Sequence, residues 1–456
     1  MLYLYNSLTK QKELFKPLVP QHISMYVCGV TVYDHCHLGH ARCMVAFDMM
    51  AQYFRFLGYQ VHFVRNITDV DDKIIKKALE TQQDYDAVSQ KFIESMHDDA
   101  TSLGLKGPDD EPLATEHIEE MKLMIQTLID KGFAYCASNG DVCFSVEKFK
   151  EYGKLSKQNI KQLLAGVRID VADAKQSPID FVLWKSSKPG EPAWSSSWGD
   201  GRPGWHIECS AMAKAHLGAQ IDIHGGGLDL QFPHHENEIA QSEACNGVSF
   251  ANYWLHVGLL QLNHEKMAKS TGNFMTIKDA LKAYHPEVIK WFFMGAQYRS
   301  PLNYTEDMLN QAHKGLQRLY QTLKNFDNQS DYPLDEAWMT RFHQAMCDDL
   351  NTPEAIAIIF ELNNLINKDK NSELIPTLKQ MAQLLGVLHE TAQTFLQFSF
   401  EDSLSEQEIL NWIDKRKTAR LEKQYQLADE IRQFLLTQGI ELEDTAQGTH
   451  WRRTGA

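Results

Sequence analysis

Apolar residues along the chain change period several times, and each change marks an element. Residues 23–30 form a short apolar, β-branched run, which reads as a strand. From Leu38 the spacing lengthens: Val45, Met49, Tyr53, Phe56 and Leu57 recur at helical intervals until Gly58. Residues 61–64 (Val-His-Phe-Val) resume a strand. Strand, helix and strand joined by short turns predict a right-handed βαβ unit and hence a parallel sheet. Ligands of such sheets sit beyond the carboxyl ends of the strands, which points to the turn at 28–40. Helical spacing continues through Ile74 and Ala78, then Val88, Phe92 and Met96. Residues 185–204, dense in Ser, Pro, Gly and Trp, read as a long loop of the kind that usually carries function. Residues 221–224 predict a short strand before Gly225-Gly226-Gly227, with a helix starting near Pro233. Residues 327–334 read as a linker, and beyond it 339–346, 353–367, 374–388 and 405–438 each show an apolar stripe. The pattern predicts an α/β protein for the first two-thirds and a helical bundle for the last quarter.

Composition bounds the function. The 456 residues are 43% hydrophobic and 23% charged, an ordinary globular balance with room for roughly three domains. No apolar stretch reaches the length of a membrane span, and the first residues lack the basic start of a signal peptide. Eight cysteines are scattered without a Cys-x-x-Cys, which suits a reducing cytoplasm and makes thiols candidates for ligands or buried filler. The formal net charge of -15 argues against holding a polyanion by bulk electrostatics, so any such partner must meet local patches. The charge is uneven. Residues 69–120 carry 15 acids against 5 bases, a local net of -10, whereas 411–456 hold 8 bases against 7 acids.

Four constellations could carry chemistry. His37-Leu38-Gly39-His40 opens a helix after a strand, where free N–H groups and a glycine suit a phosphate, and two histidines at i and i+3 share a face. Lys266 and Lys269, in a loop that runs into Gly272, suit a clamp on a polyphosphate. In Pro233-His234-His235-Glu236-Asn237-Glu238, His234 and Glu238 are one helical turn apart, and the thiols of Cys28 and Cys209 are available. Their separation in sequence forms no regular metal motif, and the same run also reads as a capped acidic helix or a hydrolase carboxylate site. Trp205, closing the Gly/Pro-rich loop beside Cys209, reads as a packing anchor or the wall of a small pocket.

These residues, in order, resemble the cysteinyl-tRNA synthetases, which are class I aminoacyl-tRNA synthetases. The resemblance rests on residues 25–33 (Met-Tyr-Val-Cys-Gly-Val-Thr-Val-Tyr), the histidine turn, 65–73 (Arg-Asn-Ile-Thr-Asp-Val-Asp-Asp-Lys), 201–210, 224–230, 233–238 and a tail over 442–445 and 448–453, and so spans the chain. It implies an α/β class I synthetase fold: a Rossmann-type catalytic domain in two halves, 1–118 and 205–255, around a connective insertion at 119–204. A lysine-loop and stem-contact region at 256–315 and an all-α anticodon-binding bundle at 316–456 would follow. By resemblance Cys28, Cys209, His234 and Glu238 hold Zn2+; Gly29, His37, Gly39, His40, Lys266 and Lys269 bind ATP with Mg2+; and Cys28, Thr68, Trp205 and Asp229 lie at the amino acid. His37, His40, Lys266 and Lys269 are the implied catalytic groups, acting by positioning and charge stabilisation.

The implied reaction activates L-cysteine with ATP and passes the cysteinyl group to the 3′ end of tRNA(Cys), in a cytoplasmic enzyme expected to be a monomer. A zinc accepting the substrate thiolate would tell cysteine from serine better than a pocket can. Two departures stand out: Ala268 where the family usually has Ser in the lysine loop, and Ser197 where relatives tend to carry Pro. The competing readings are a cysteine ligase with an amino-sugar acceptor, a zinc hydrolase on His234, His235 and Glu236, and a nucleotide-binding module without turnover. The near-neutral tail, with Arg452 and Arg453, is expected to meet tRNA, and the acidic helices at 69–120 to avoid it.

Overall fold

The computed structural model describes residues 1–158, 174–262, 265–266, 274–326, 332–398, 404–445 and 448–453. Lys269 and Ala268 lie outside the described residues, as do positions 327–331 of the expected linker; of Lys266 only the backbone is described, in the two-residue strand Glu265–Lys266.

Four strands, β1 (His22–Val27), β2 (Gln60–Arg65), β3 (Ile221–Gly227) and β4 (Ala251–Val257), form a parallel sheet in the order β4-β3-β1-β2. The chain leaves β1 toward one edge and returns at β3 on the other side. The segments after β1 and β3 therefore diverge and open a crevice at the carboxyl ends of the central strands. Between β2 and β3 come helices Asp72–Thr81, Tyr85–Ser102 and Ile118–Asp130, then an antiparallel sheet of Ala134–Cys136, Val142–Phe144, Phe181–Ser186 and Gly201–Pro203.

The helix between β1 and β2, α1 (Leu38–Phe56), is buried on nearly every side. It sits close to the sheet because β3 presents glycine there: a Cβ on Gly225 would stand 2.3 Å from the Phe47 ring. Arg42, 2% exposed, ties this helix to the far wall of the crevice. Its guanidinium donates to the carbonyls of Gly258 (2.8 Å), Leu259 (3.1 Å) and Ser300 (2.6 Å). An always-charged planar fork suits three fixed carbonyls better than a flexible lysine would.

The expected βαβ unit and the helical spacing at 72–102 are present, with Val88, Phe92 and Met96 on the buried face of Tyr85–Ser102. Four features differ in detail. The segment 185–204 is shorter as a loop, because Phe181–Ser186 and Gly201–Pro203 pair antiparallel across it. The stripe at 405–438 breaks into Glu406–Leu421 and Tyr425–Thr437, with Lys423 in the left-handed region at φ 63°. The tail is a hairpin of Ile440–Thr445 and Gly448–Arg453, whose Leu442 and Trp451 pack on Ile409, Ile431 and Leu435. Arg453 is not an open tRNA contact: it is 4% exposed and donates to the Leu404 carbonyl. Arg452 pairs with Glu441 at 2.6 Å with its side chain 39% exposed, so the expectation of a tRNA contact is corrected for Arg453 and not for Arg452.

Arg42→Leu should lower stability to urea by about 3 kcal/mol, because several buried carbonyls lose their donor at once. A loss below about 1 kcal/mol would mean that water replaces the guanidinium there.

Candidate functional site

The crevice holds a cavity of about 420 Å3 lined by Cys28 and Gly29 after β1, His37, Gly39 and His40 at the start of α1, and Trp205 and Asp229. Lys73 also faces it, as does Arg65, which is paired with Glu111.

The histidine turn is built by mutual capping. His37 is the N-cap of α1; its Nδ1 accepts the N–H of Gly39 (3.1 Å) and of His40 (3.3 Å), while His40 Nδ1 accepts the N–H of His37 (3.2 Å). The two rings stack with centroids 3.8 Å apart. The helix-start N–H groups expected to be free for an anion are thus engaged by the histidines themselves. A neutral imidazole whose Nδ1 accepts carries its proton on Nε2, so each ring presents an Nε2–H donor. Gly39 is needed for this fold-back, since a Cβ there would stand 2.9 Å from the His37 ring.

The second structure at the crevice is a buried donor cluster. Cys28 comes from the end of β1, Cys209 from α2 (Trp205–Leu217), and His234 and Glu238 from the start of α3 (Glu236–Asn246) and the turn before it. Their ligand atoms lie within 4.8 Å of one another and all four residues are buried. Cys28 Sγ is 3.5 Å from Cys209 Sγ and 3.3 Å from Glu238 Oε1. Cys209 Sγ is 3.6 Å from His234 Nε2, which is 3.1 Å from Glu238 Oε1. Tetrahedral coordination at ordinary zinc bond lengths requires edges of about 3.3–3.8 Å. The donors already stand close to those edges.

Their electrostatics fit a cation as well. Burial pushes the Cys28 thiol well up and the Cys209 thiol to about 11, with Glu238 adding to both shifts, so neither ionises without a positive charge nearby. Burial holds His234 neutral by lowering it to about 3. Burial would raise Glu238, but the imidazoles of His224 and His234 more than offset it and keep the carboxyl below its usual range. Outer partners aim the donors. His224 Nε2 donates to Glu238 Oε2 at 2.7 Å, leaving Oε1 toward the thiols. A His234 that gives Nε2 to a cation carries its proton on Nδ1, which is 2.9 Å from Nδ1 of His206. Burial lowers His206 to about 4, so it is the neutral acceptor that this requires.

Trp205 stacks on His234 with ring centroids 4.2 Å apart and is 39% exposed, so its other face is open to the cavity. Thr68 is placed differently from Trp205 and Asp229: it is 2% exposed, does not line the cavity, and donates its hydroxyl to Glu208 at 2.6 Å. Its backbone bridges to Thr31 and so braces the segment that carries Cys28 and Gly29. Asn66, which the residue pattern did not single out, accepts the Gly29 N–H at 2.9 Å and lies 3.5 Å from Cys209 Sγ. Its position beside two candidate residues is visible only once β1 and β2 are paired. Glu236, the carboxylate of the hydrolase reading, is fully used as a scaffold: it accepts from the N–H groups of Gly153 (2.9 Å) and Ser156 (2.8 Å) and from the Ser156 hydroxyl (2.7 Å).

Residues 14–314 match the tRNA synthetases class I (C) catalytic domain, and residues 341–390 match the DALR domain. The chain is 56% identical over 457 residues to the cysteine--tRNA ligase of Legionella pneumophila (strain Corby), covering 99% of both proteins. It is 52% identical over 464 residues to that of Methylococcus capsulatus, covering 99% of this chain and 100% of the relative. Among solved structures, a Mycobacterium tuberculosis methionyl-tRNA synthetase with methionyl-adenylate aligns at a TM-score of 0.59 and 13% identity, covering 82% of this chain and 93% of the other, a likeness of fold. With the catalytic match covering well over half of its length and relatives matched end to end, the chain belongs to the cysteine--tRNA ligase family of class I tRNA synthetases.

Proposed function

We propose that the protein activates L-cysteine with ATP and transfers the cysteinyl group to tRNA(Cys), with a zinc ion on Cys28, Cys209, His234 and Glu238 selecting the substrate. The observation that carries the substrate choice is this donor cluster, one member of which, Cys28, also lines the cavity beside the histidine turn. When bound, zinc takes a thiolate sulfur readily and an alcohol poorly near neutral pH, which separates cysteine from serine where shape alone gives about 10- to 200-fold.

The chain's own groups account for the rest. A carboxylate oxygen of cysteine attacks the α-phosphorus of ATP, the bond to the bridging oxygen breaks, and pyrophosphate leaves, so no side-chain nucleophile is needed. The Nε2–H groups of His37 and His40 donate to phosphate oxygens as charge builds, and Lys266 and Lys269 add positive charge around Mg2+. Trp205 and Asp229 position the amino acid, and Gly29 and Gly39 let the nucleotide approach. Thr68 acts from behind, through the segment it braces. A ribose hydroxyl of the tRNA 3′ end then attacks the carbonyl and AMP leaves.

The domain division at 118, 204, 255 and 315, a cytoplasmic location and a monomeric state belong to the same reading. Eight free cysteines suit that location, and among the described residues no helix is long and apolar enough to cross a membrane. The DALR match beyond the catalytic region favours a tRNA acceptor over an amino sugar.

Cysteine-dependent ATP–pyrophosphate exchange, paired with tRNA charging, tests the reading. Cys209→Ser should cut cysteine-over-serine selectivity in exchange by about a hundredfold or more. Unchanged selectivity would remove zinc from the mechanism. A second expectation concerns pH. Both thiols are held protonated by burial while His234 and Glu238 need lose nothing, so binding zinc displaces two protons. Affinity measured by chelator competition should therefore rise close to a hundredfold per pH unit between about pH 6 and 8. A flat profile would show that the thiols are not the ligands.

A further inference from the structure

A second cavity, of about 500 Å3, lies away from the histidine turn, where α1 and the chain after Tyr85–Ser102 meet the helices Pro286–Met294 and Ile375–Leu384. Its size is that of a small-molecule site. Lys290, on one of those helices, lines it and is 5% exposed. The ammonium sits 3.4 Å from where a Cβ on Gly104, another lining residue, would stand.

A buried ammonium ordinarily rests on a carboxylate or several carbonyls, since burying an unpaired charge is expensive. Among the described residues, no hydrogen bond or ion pair reaches the Lys290 ammonium; Glu287, Asp48 and Glu390 act on it only at longer range. Two of these carboxylates already accept from other donors. Asp48 accepts the N–H groups of Lys106 (3.0 Å) and Gly107 (2.9 Å). Glu287 accepts the Tyr320 hydroxyl (2.7 Å) and the N–H groups of Leu388 and His389 (3.0 Å each). Burial, only partly opposed by those carboxylates, holds the lysine below its ordinary range. Asp48 is the carboxylate among the lining residues; against it, Lys106 on the wall and Lys379 nearby add positive charge, and with burial they help lower His389 on the rim although Glu287 opposes them. Gln52, also on the wall, has a buried amide nitrogen without a hydrogen-bond partner among the described residues. Val45, Met49, Phe56 and Leu384 supply apolar surface around these donors.

We propose that this cavity binds a small molecule that joins one anionic group, a phosphate or a carboxylate, to an apolar body, with Lys290 holding the anion. The ligand would bridge α1 of the catalytic region and the helix Ile375–Leu384 of the helical region, so its binding stabilises their junction.

Phenyl phosphate and benzoate share a ring and differ in the anion, and serve as probes by calorimetric titration of the full chain. One or both should bind the native protein, and the stronger assigns the anion. Lys290→Met should weaken that binding about tenfold or more, the worth of one charge-assisted contact, and Lys290→Arg should largely retain it. Without ligand, Lys290→Met should melt at the same or a higher temperature, because it removes an unpaired buried charge. Failure of both probes to bind, equal binding by Lys290→Met, which would place the probes in the nucleotide cavity, or a melting point lowered by several degrees in that variant would each overturn the proposal.

Discussion

Bringing two thiols, an imidazole and a carboxylate within a few ångströms of one another inside a protein is unfavourable unless a positive charge joins them. Burial already holds the thiols protonated and the imidazole neutral, and mutual repulsion forbids ionising the set together. Much of the surrounding structure is organised around that constraint. β1 delivers Cys28, α2 delivers Cys209, and the turn into α3 delivers His234 and Glu238, so three separate elements of the α/β domain converge on one point. His224 and His206 each take up the second atom of a donor residue and fix which atom of Glu238 and His234 points inward. Trp205 closes the cluster toward the cavity by stacking on His234.

The same crevice resolves the contradiction between an acidic chain and two polyanionic substrates. Net charge describes the whole surface, whereas a nucleotide meets only the wall before it. That wall carries Lys73, an Arg65 paired with Glu111 and the neutral donors His37 and His40 alongside Asp229, while acidic residues such as Asp86, Glu94 and Asp98 lie on the outer face of Tyr85–Ser102. The histidine turn adds a refinement that charge counting misses. By capping α1 with their own Nδ1 atoms, the two histidines convert backbone donors into side-chain donors that stand further out from the helix end.

Several elements were legible in the residue pattern because they depend on local periodicity. The helix of α1, the buried stripe of Tyr85–Ser102 and the strands β1 to β3 follow from spacing alone. The antiparallel pairing across 187–200 was not legible, because it joins segments that look like loop until Trp184 meets Pro203 in register. The C-terminal hairpin escaped for a related reason: Leu442 and Trp451 are isolated apolar residues whose partners, Ile409 and Ile431, lie on distant helices. Arg453 reads as a surface cation in sequence, and only that packing makes it a buried carbonyl ligand.

By itself, the sequence determined the α/β class, the place of the histidine turn at a helix start, the one-turn spacing of His234 and Glu238 and, through an ordered set of motifs, the family. Those are properties of short stretches, where period and neighbour type suffice. Tertiary structure decided which of these residues meet. Cys28 and Cys209 are 181 positions apart and stand 3.5 Å from each other because strand order reverses between β1 and β3, and no local pattern encodes that reversal. It also decided that Thr68 stands behind the cavity and that, among the described residues, the Lys290 ammonium is left without a partner, since both depend on what distant carboxylates and hydroxyls are already bound to.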